Sequence, residues 1–389
     1  MKLLLVSLYF HPARRYGGPV ASTWGLARGL AAEGVDVRVL TTDADGPGRL
    51  AVPRGWQPLA PHLAVRYAPR RLSELVAPGW LVSLPREIAR ADGVHVSGLL
   101  VWALPYVAVL CRLLGKPLVI SPRGMLMAEA LGVKAVKKAP FLALLRALGV
   151  GRRAWFHATA KSEAEAIAQA FPGARITLVG NGVELPDPGE KRDRPPGIPA
   201  GEYLLYLGRL HPFKGLDVIL EAFAQAELGA TRLVLAGTGE PAYHDALVRD
   251  AQELGIADRV LFPGEVEGPG KAAWLTHAAG LVLASRSENF GVAVAEALAH
   301  GTPAVVTTSA PWEGLVIHRA GFWVAPEELA AGLRQLMALP AAERRAMGER
   351  GRAWVTATYG WPAVARSMMA LYAEAFGEEP PVGSRRRTS

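Results

Sequence analysis

Two glutamates with seven residues between them, Glu288 and Glu296, lie in the stretch Ser285 to Leu298, S-R-S-E-N-F-G-V-A-V-A-E-A-L. Carboxylates accept hydrogen bonds from sugar and ribose hydroxyls. Between the two acids, Asn289, Phe290 and Gly291 stand where a helix begins, and the backbone N–H groups of a helix N-terminus favour an anion. One acid in a turn and one on a helix are therefore placed to grip a sugar and a ribose around a diphosphate. Upstream, Y-L-L-Y-L-G-R-L-H-P-F-K-G-L-D, Tyr203 to Asp217, carries Gly208, Arg209 and Lys214. Arg supplies a fixed fork of donors and Lys a point charge, which together make a diphosphate clamp. The plain alternative is that these are solvated surface charges.

These residues need particular elements to position them. The run Gly280–Ala284 reads as a buried strand, and after Gly291 the apolar residues take helical spacing, so the glutamates flank a strand-to-helix turn. Open α/β sheets bind ligands at such turns. Tyr203–Leu207 is likewise a strand that delivers Arg209 and Lys214 to its C-terminal end, with a helix starting near Leu216. Strand-like and helix-like runs alternate throughout: Leu3–Tyr9, Val35–Thr42, Val94–Ser97, Leu118–Ser121, Trp155–Thr159 and Ile176–Val179, then Tyr203–Leu207, Arg232–Ala236, Val260–Phe262, Leu281–Ala284 and Ala304–Thr307. That alternation predicts α/β architecture with parallel sheets in two doubly wound domains. Gly17-Gly18, between the first strand and a helix Val20–Ala32, permits close backbone approach to a phosphate, although a tight turn alone needs as much. It is not the dinucleotide pattern G-x-G-x-x-G.

A length of 389 residues with 50% hydrophobic content supplies two cores. The single cysteine, Cys111, excludes a disulfide framework and offers no metal cluster, as expected of a reducing cytoplasmic compartment. The apolar start Leu3–Val6 is too short for a signal peptide, and Leu99–Leu110, broken by Pro105, is too short for a membrane span. Charge is lopsided: residues 1–195 hold 26 Lys and Arg against 14 Asp and Glu, whereas residues 196–389 hold 17 against 21. A basic first half attracts anionic partners. Nucleic acid is not expected among them, since zinc spacing, aromatic RNA-binding motifs and helix-turn-helix signals are missing.

The pattern of Glu288 and Glu296, together with Gly208-Arg209-Leu210 and Lys214-Gly215, resembles the Glu-x7-Glu family of retaining glycosyltransferases, the group 1 or family 4 type, which includes bacterial polysaccharide and lipopolysaccharide enzymes. The resemblance runs to about residue 376. It implies the GT-B fold, two Rossmann-like domains facing across a cleft. It implies transfer of a sugar from a nucleotide-diphosphate sugar to a hydroxyl of a glycan or lipid-linked acceptor, with retention, no cofactor and no metal. It assigns Arg209 and Lys214 to the departing diphosphate, Glu288 to the donor sugar and Glu296 to the ribose. Gly17 and Gly18 fall against the diphosphate, and Val266, in Phe262-Pro263-Gly264-Glu265-Val266, against the nucleobase. The implied domains are 1–186 on the acceptor side, completed by Ala363–Phe376, a linker 187–200, a nucleotide-sugar domain 201–360, and a disordered basic tail 377–389.

One departure concerns Ser121-Pro122-Arg123-Gly124, where many members carry His-Gly or His-Asp. Arg123 is a candidate contact for a phosphate or an acceptor carboxylate, or else a structural salt-bridge partner. Residues 134–153 join Lys134, Lys137, Lys138, Arg146, Arg152 and Arg153 to the apolar run Phe141–Leu145. That suits an interfacial helix on an anionic membrane, at the inner face of which a cytoplasmic enzyme would act, and equally a core-facing helix with a solvated basic face. Two other functions fit the fold: a nucleotide-sugar epimerase, and a sugar-binding protein without catalysis. A glycosidase pair is disfavoured, since its carboxyls face one another across the scissile bond.

Overall fold

Unbroken apolar runs form the centres of two parallel sheets, as burial on both faces requires. The computed structural model describes residues 1–13, 15–70, 76–127, 135–186, 194, 197 and 200–377. Contacts divide the chain into two compact units, one made of Met1–Gly182 with the segment from Trp361 onward, the other of Val183–Gly360. The inferred linker at 187–200 and tail at 377–389 fall almost wholly outside the described residues, as do Lys134 and Arg14.

The first unit holds β1 (Lys2–Ser7), β2 (Asp36–Thr42), β3 (Trp56–Ala60), β4 (Leu63–Ala68), β5 (Gly93–Ser97), β6 (Leu118–Ser121), β7 (Trp155–Ala158) and β8 (Arg175–Leu178). Their order is β8-β7-β6-β5-β1-β2-β4-β3, parallel except for the antiparallel edge pair β3 and β4. That edge hairpin was not expected from the sequence, because Pro58 and Pro61 mask its alternation. Proline is tolerated on an edge strand, where a ladder donor can be missing.

The second unit holds β9 (Tyr203–Leu207), β10 (Arg232–Ala236), β11 (Val260–Gly264), β12 (Gly280–Leu283), β13 (Ala304–Thr307) and β14 (Gly321–Val324), in the order β11-β10-β9-β12-β13-β14, all parallel. Relative to its first strand this is the doubly wound order 3-2-1-4-5-6, with the reversal between β9 and β12. The short edge strand β14 was also missed from the sequence. Both units are Rossmann-like.

Helices α1 (Gly18–Ala32), α2 (Leu216–Ala226), α3 (Val292–Ala299) and α4 (Trp361–Phe376) matter most for the candidate site. The helix Ala341–Tyr359 stops at Gly360, and α4 then packs in the first unit against α1. A Cβ at Gly25 of α1 would lie 2.0 Å from the Trp361 ring, so the absent side chain sets how closely the two helices approach. Among the described residues no helix is long and apolar enough to cross a membrane. In the helix Ala135–Ala147, Leu142 and Leu145 point into the core, so that run is core-facing on at least one side.

Candidate active site

In the second unit the chain leaves β9 and β12 at neighbouring C-terminal ends, where successive connections diverge. Gly208, Arg209 and Lys214 follow β9, and Glu288 to Gly291 follow β12. The two loops are locked together. Lys214 Nζ lies 2.6 Å from Glu288 Oε2, and Ser285 Oγ donates to the same oxygen at 3.1 Å. The Arg286 backbone N–H donates to the Phe213 carbonyl at 2.9 Å, while its guanidinium pairs with Asp217 at the start of α2. Between them Gly215, at φ +63°, caps α2, and a Cβ there would sit 2.1 Å from the Ala284 carbonyl oxygen. Only glycine lets the lysine loop come this close to the end of β12.

Arg209 is exposed beside this pair, its carbonyl held by the Tyr206 hydroxyl at 2.8 Å. Burial, with Glu288 nearby, pushes the Tyr206 phenol well above its ordinary pKa, so it stays a neutral donor. The next turn, Ala236-Gly237-Thr238-Gly239, is stitched to the first by Leu210 N–H to Thr238 O at 2.8 Å. A Cβ at Gly237 would meet the Gly208 carbonyl at 1.8 Å.

Gly291 caps α3 in a left-handed conformation at φ +80°. Phe290 is buried against Trp312 and Tyr359, with ring centroids 5.4 and 5.2 Å away, and its carbonyl accepts from the Trp312 indole. The turn that carries Glu288 and Asn289 is thus anchored from below by an aromatic cluster. Glu296, on α3, is engaged separately by Lys271 Nζ at 2.7 Å. Lys271 was missed from the sequence. Its only signal was a cation after Gly268-Pro269-Gly270, and the helix-to-helix approach that brings it to Glu296 is not local. Val266 is half-buried against the core beyond β11. Among the described residues no three His, Cys, Asp or Glu side chains gather as metal ligands.

Gly17, Gly18 and Arg123 belong to the first unit. Gly17 caps α1 at φ +58°, and a Cβ at either glycine would meet nothing within 4 Å, so no neighbouring atom demands both. Arg123 follows β6 in a left-handed backbone at φ +57°, unusual for a residue with a side chain. Its Nη1 donates to Asn181 Oδ1 at 2.6 Å, and burial lowers its pKa. The loop is tied down by buried Glu163, which accepts from the Gly124 and Thr159 N–H groups and from the Thr159 hydroxyl.

Behind Arg123 runs a buried polar chain whose direction can be worked out. His157 Nε2 lies 2.7 Å from the Val179 carbonyl and must donate, which makes its Nδ1 an acceptor for Ser121 Oγ at 2.7 Å. Ser121 then accepts from His95 Nε2 at 2.6 Å, and His95 Nδ1 accepts from the Tyr372 hydroxyl of α4 at 2.7 Å. Both rings are neutral in this arrangement. Burial, then the Arg123 charge, lowers His157 to about 4, and burial holds His95 well below its ordinary value.

Comparisons with known proteins bear on both units. Residues 190–354 match the family model of the glycosyl transferases group 1, and residues 16–186 match that of glycosyltransferase family 4. A D-inositol 3-phosphate glycosyltransferase of Frankia alni is 31% identical over 389 residues, covering 90% of this chain and 92% of that one. One from Mycobacterium tuberculosis is 34% identical over 224 residues, 53% of this chain and 45% of that one. Among solved structures, sucrose-phosphate synthase from Thermosynechococcus elongatus superposes with a TM-score of 0.73 at 21% identity, covering 97% and 99% of the two chains. HepE from Anabaena, in complex with UDP and glucose, gives 0.68 at 17% identity, covering 96% and 100%. WaaG, a glycosyltransferase involved in lipopolysaccharide biosynthesis, gives 0.62 at 19%, covering 92% and 97%. These structural likenesses identify the fold as GT-B.

Proposed function

The chain belongs to the group 1 glycosyl transferases, and on that premise we propose a retaining, metal-independent enzyme of the Glu-x7-Glu type. It moves a sugar from a nucleotide-diphosphate sugar to a hydroxyl of a glycan or lipid-linked acceptor, in cell-surface polysaccharide assembly. The observation that carries this reading is the ion pair between Lys214 and Glu288, with Arg209 exposed alongside, at the divergence of the second sheet. A cation pair beside a carboxylate suits a substrate with a diphosphate joined to a polyol. The presence of UDP in the HepE structure makes uracil the first base to try.

The chemical difficulty is the negative charge that grows on the diphosphate oxygen as its bond to the sugar carbon breaks. Fixed cations and a helix N-terminus stabilise that charge without reorganising. Lys214 trades Glu288 for the phosphate as the donor arrives, and Arg209 closes on the other side. Glu288 then takes hydroxyls of the donor sugar, and Glu296, held by Lys271, takes the ribose. Retention follows from front-face attack: the acceptor oxygen bonds to the sugar carbon on the side the diphosphate leaves, and the acceptor proton passes to the leaving phosphate oxygen. Val266 is assigned to the base, Gly17 and Gly18 to the diphosphate, and Arg123 to a phosphate or the acceptor.

The test begins with a thermal-shift panel of nucleotide diphosphates and their sugars, with and without EDTA, since a ligand that binds only the native state raises its melting temperature. With the donor found, Lys214→Ala should lose about 10²- to 10³-fold in kcat, the usual cost of removing a transition-state charge stabiliser. Wild-type turnover by that variant overturns the site. Loss of activity with EDTA overturns metal independence, and an inverted product seen by NMR overturns retention.

A further inference from the structure

Granting Glu296 the ribose of the donor, we propose that Lys271 sets the class of that donor. By pinning the Glu296 carboxylate it makes the site one for a ribonucleoside diphosphate and against a 2′-deoxyribonucleoside diphosphate. Lys271 is a positioning residue in this scheme, acting on the donor through Glu296.

The lysine stands on a fixed base. It lies in the first turn of the helix Gly268–His277, and Leu275, one turn further on, shares its face. The Leu275 carbonyl accepts from the Thr302 hydroxyl at 2.5 Å, and the Thr302 N–H donates to the Ala297 carbonyl of α3 at 2.9 Å. Thr302 thus ties the two helices together, and Lys271 Nζ meets Glu296 Oε1 at 2.7 Å. A second tie runs to the sheet: the Tyr203 hydroxyl, at the start of β9, donates to the Trp274 carbonyl at 2.5 Å. Leu275, Ala297 and Leu298 are fully buried, so the helix pair cannot shift without disturbing the core. The ion pair itself is 33% and 21% exposed, and pairs that open to water add little to stability. What it changes is the freedom of the glutamate.

A carboxylate accepts on both oxygens, so one orientation of it can serve two neighbouring hydroxyls at once. Ribose presents such a pair, at C2′ and C3′. Lys271 occupies one acceptor position on Oε1 and restricts rotation of the group, which leaves the carboxylate set for both hydroxyls before the donor arrives. A 2′-deoxyribose supplies only one. The acceptor position aimed at the missing hydroxyl then stays unpaired, because a carboxylate pinned by the lysine cannot turn to water, and that vacancy is costly. A site built to bond a hydroxyl rejects the analogue that lacks it. Without Lys271 the glutamate can rotate and be satisfied by water, and the preference shrinks.

The experiment is titration calorimetry of the full chain with UDP, GDP and ADP, each beside its 2′-deoxy counterpart, and with thymidine diphosphate. The variants are Lys271→Met, Glu296→Gln and the two combined, with urea melts to report that each is folded. The wild type should bind one ribonucleoside diphosphate at least about tenfold tighter than its 2′-deoxy counterpart. In Lys271→Met that ratio should fall to about threefold or less, and in the Glu296→Gln background the lysine substitution should change it no further. Glu296→Gln alone should also lower the ratio, which tests the scheme independently of the lysine. Preference of the wild type for thymidine diphosphate, or equal affinity for ribo and deoxy forms, overturns the inference while leaving a nucleotide-binding enzyme. Equal weakening of both forms by Lys271→Met overturns it as well, since the lysine would then act on the diphosphate itself. A wild type that binds none of these nucleotides overturns it together with the proposed function.

Discussion

Substituting Gly215 by alanine isolates the close approach on which the candidate site depends. Two costs can be worked from the structure. The residue lies at φ +63°, where a side chain costs about 1–2 kcal/mol. The added Cβ would also sit 2.1 Å from the Ala284 carbonyl oxygen, and relieving that overlap means moving the lysine loop by roughly 1 Å, an overpacking cost of about 1–3 kcal/mol. Together the expected destabilisation is about 2–5 kcal/mol. Gly229 supplies the control: its φ is +57°, yet a Cβ there meets nothing within 4 Å. Gly229→Ala should therefore cost only the backbone term, about 1–2 kcal/mol, with normal turnover. Gly215→Ala moves Lys214 relative to Glu288, and a misplacement of about 1 Å costs on the order of 10²-fold in rate. The assays are urea denaturation and steady-state turnover of the nucleotide sugar. Equal stability losses in the two variants, or full turnover by Gly215→Ala, would refute the reasoning.

Two further predictions concern the buried chain in the first unit. His157 titrates near 6.5 when unfolded and at about 4 when folded, so below 6.5 the unfolded state binds the extra proton and stability falls with falling pH until about 4. From pH 7 to pH 5 this group alone removes about 2 kcal/mol, measurable by urea melts at the two pH values. A His157→Gln chain should show a flatter slope, and an unchanged slope would count against the assignment. Tyr372→Phe deletes the donor to His95 Nδ1 and leaves a buried acceptor without its partner, at a cost of about 1–3 kcal/mol. An undiminished denaturation midpoint would mean that this hydrogen bond does not hold α4 to the first sheet.

Composition and periodicity alone were enough for the α/β class, the parallel sheets and the places where strands hand over to helices. Leu3–Val6, Leu233–Leu235 and Val305–Val306 are runs that only a doubly covered sheet can bury, and Gly291 before Val292–Ala299 announces a helix start. The resemblance resting on Arg209, Lys214, Glu288 and Glu296 was legible because those residues lie in short local stretches beside recognisable turns. Pairings were not legible. Lys214 and Glu288 are 74 positions apart and Lys271 and Glu296 are 25 apart, and their meeting is decided by which strands lie side by side. The same holds for His95 and Tyr372, 277 positions apart, joined because α4 returns to the first unit. The edge strands β3 and β14, and β4, which pairs with both β2 and β3, escaped notice because Pro58 and Pro61 interrupt the pattern of the hairpin and β14 spans only four residues. Local sequence specifies what each segment can be. Tertiary structure decides which distant groups share a site, because contacts between segments depend on strand order and close backbone approach rather than on spacing along the chain.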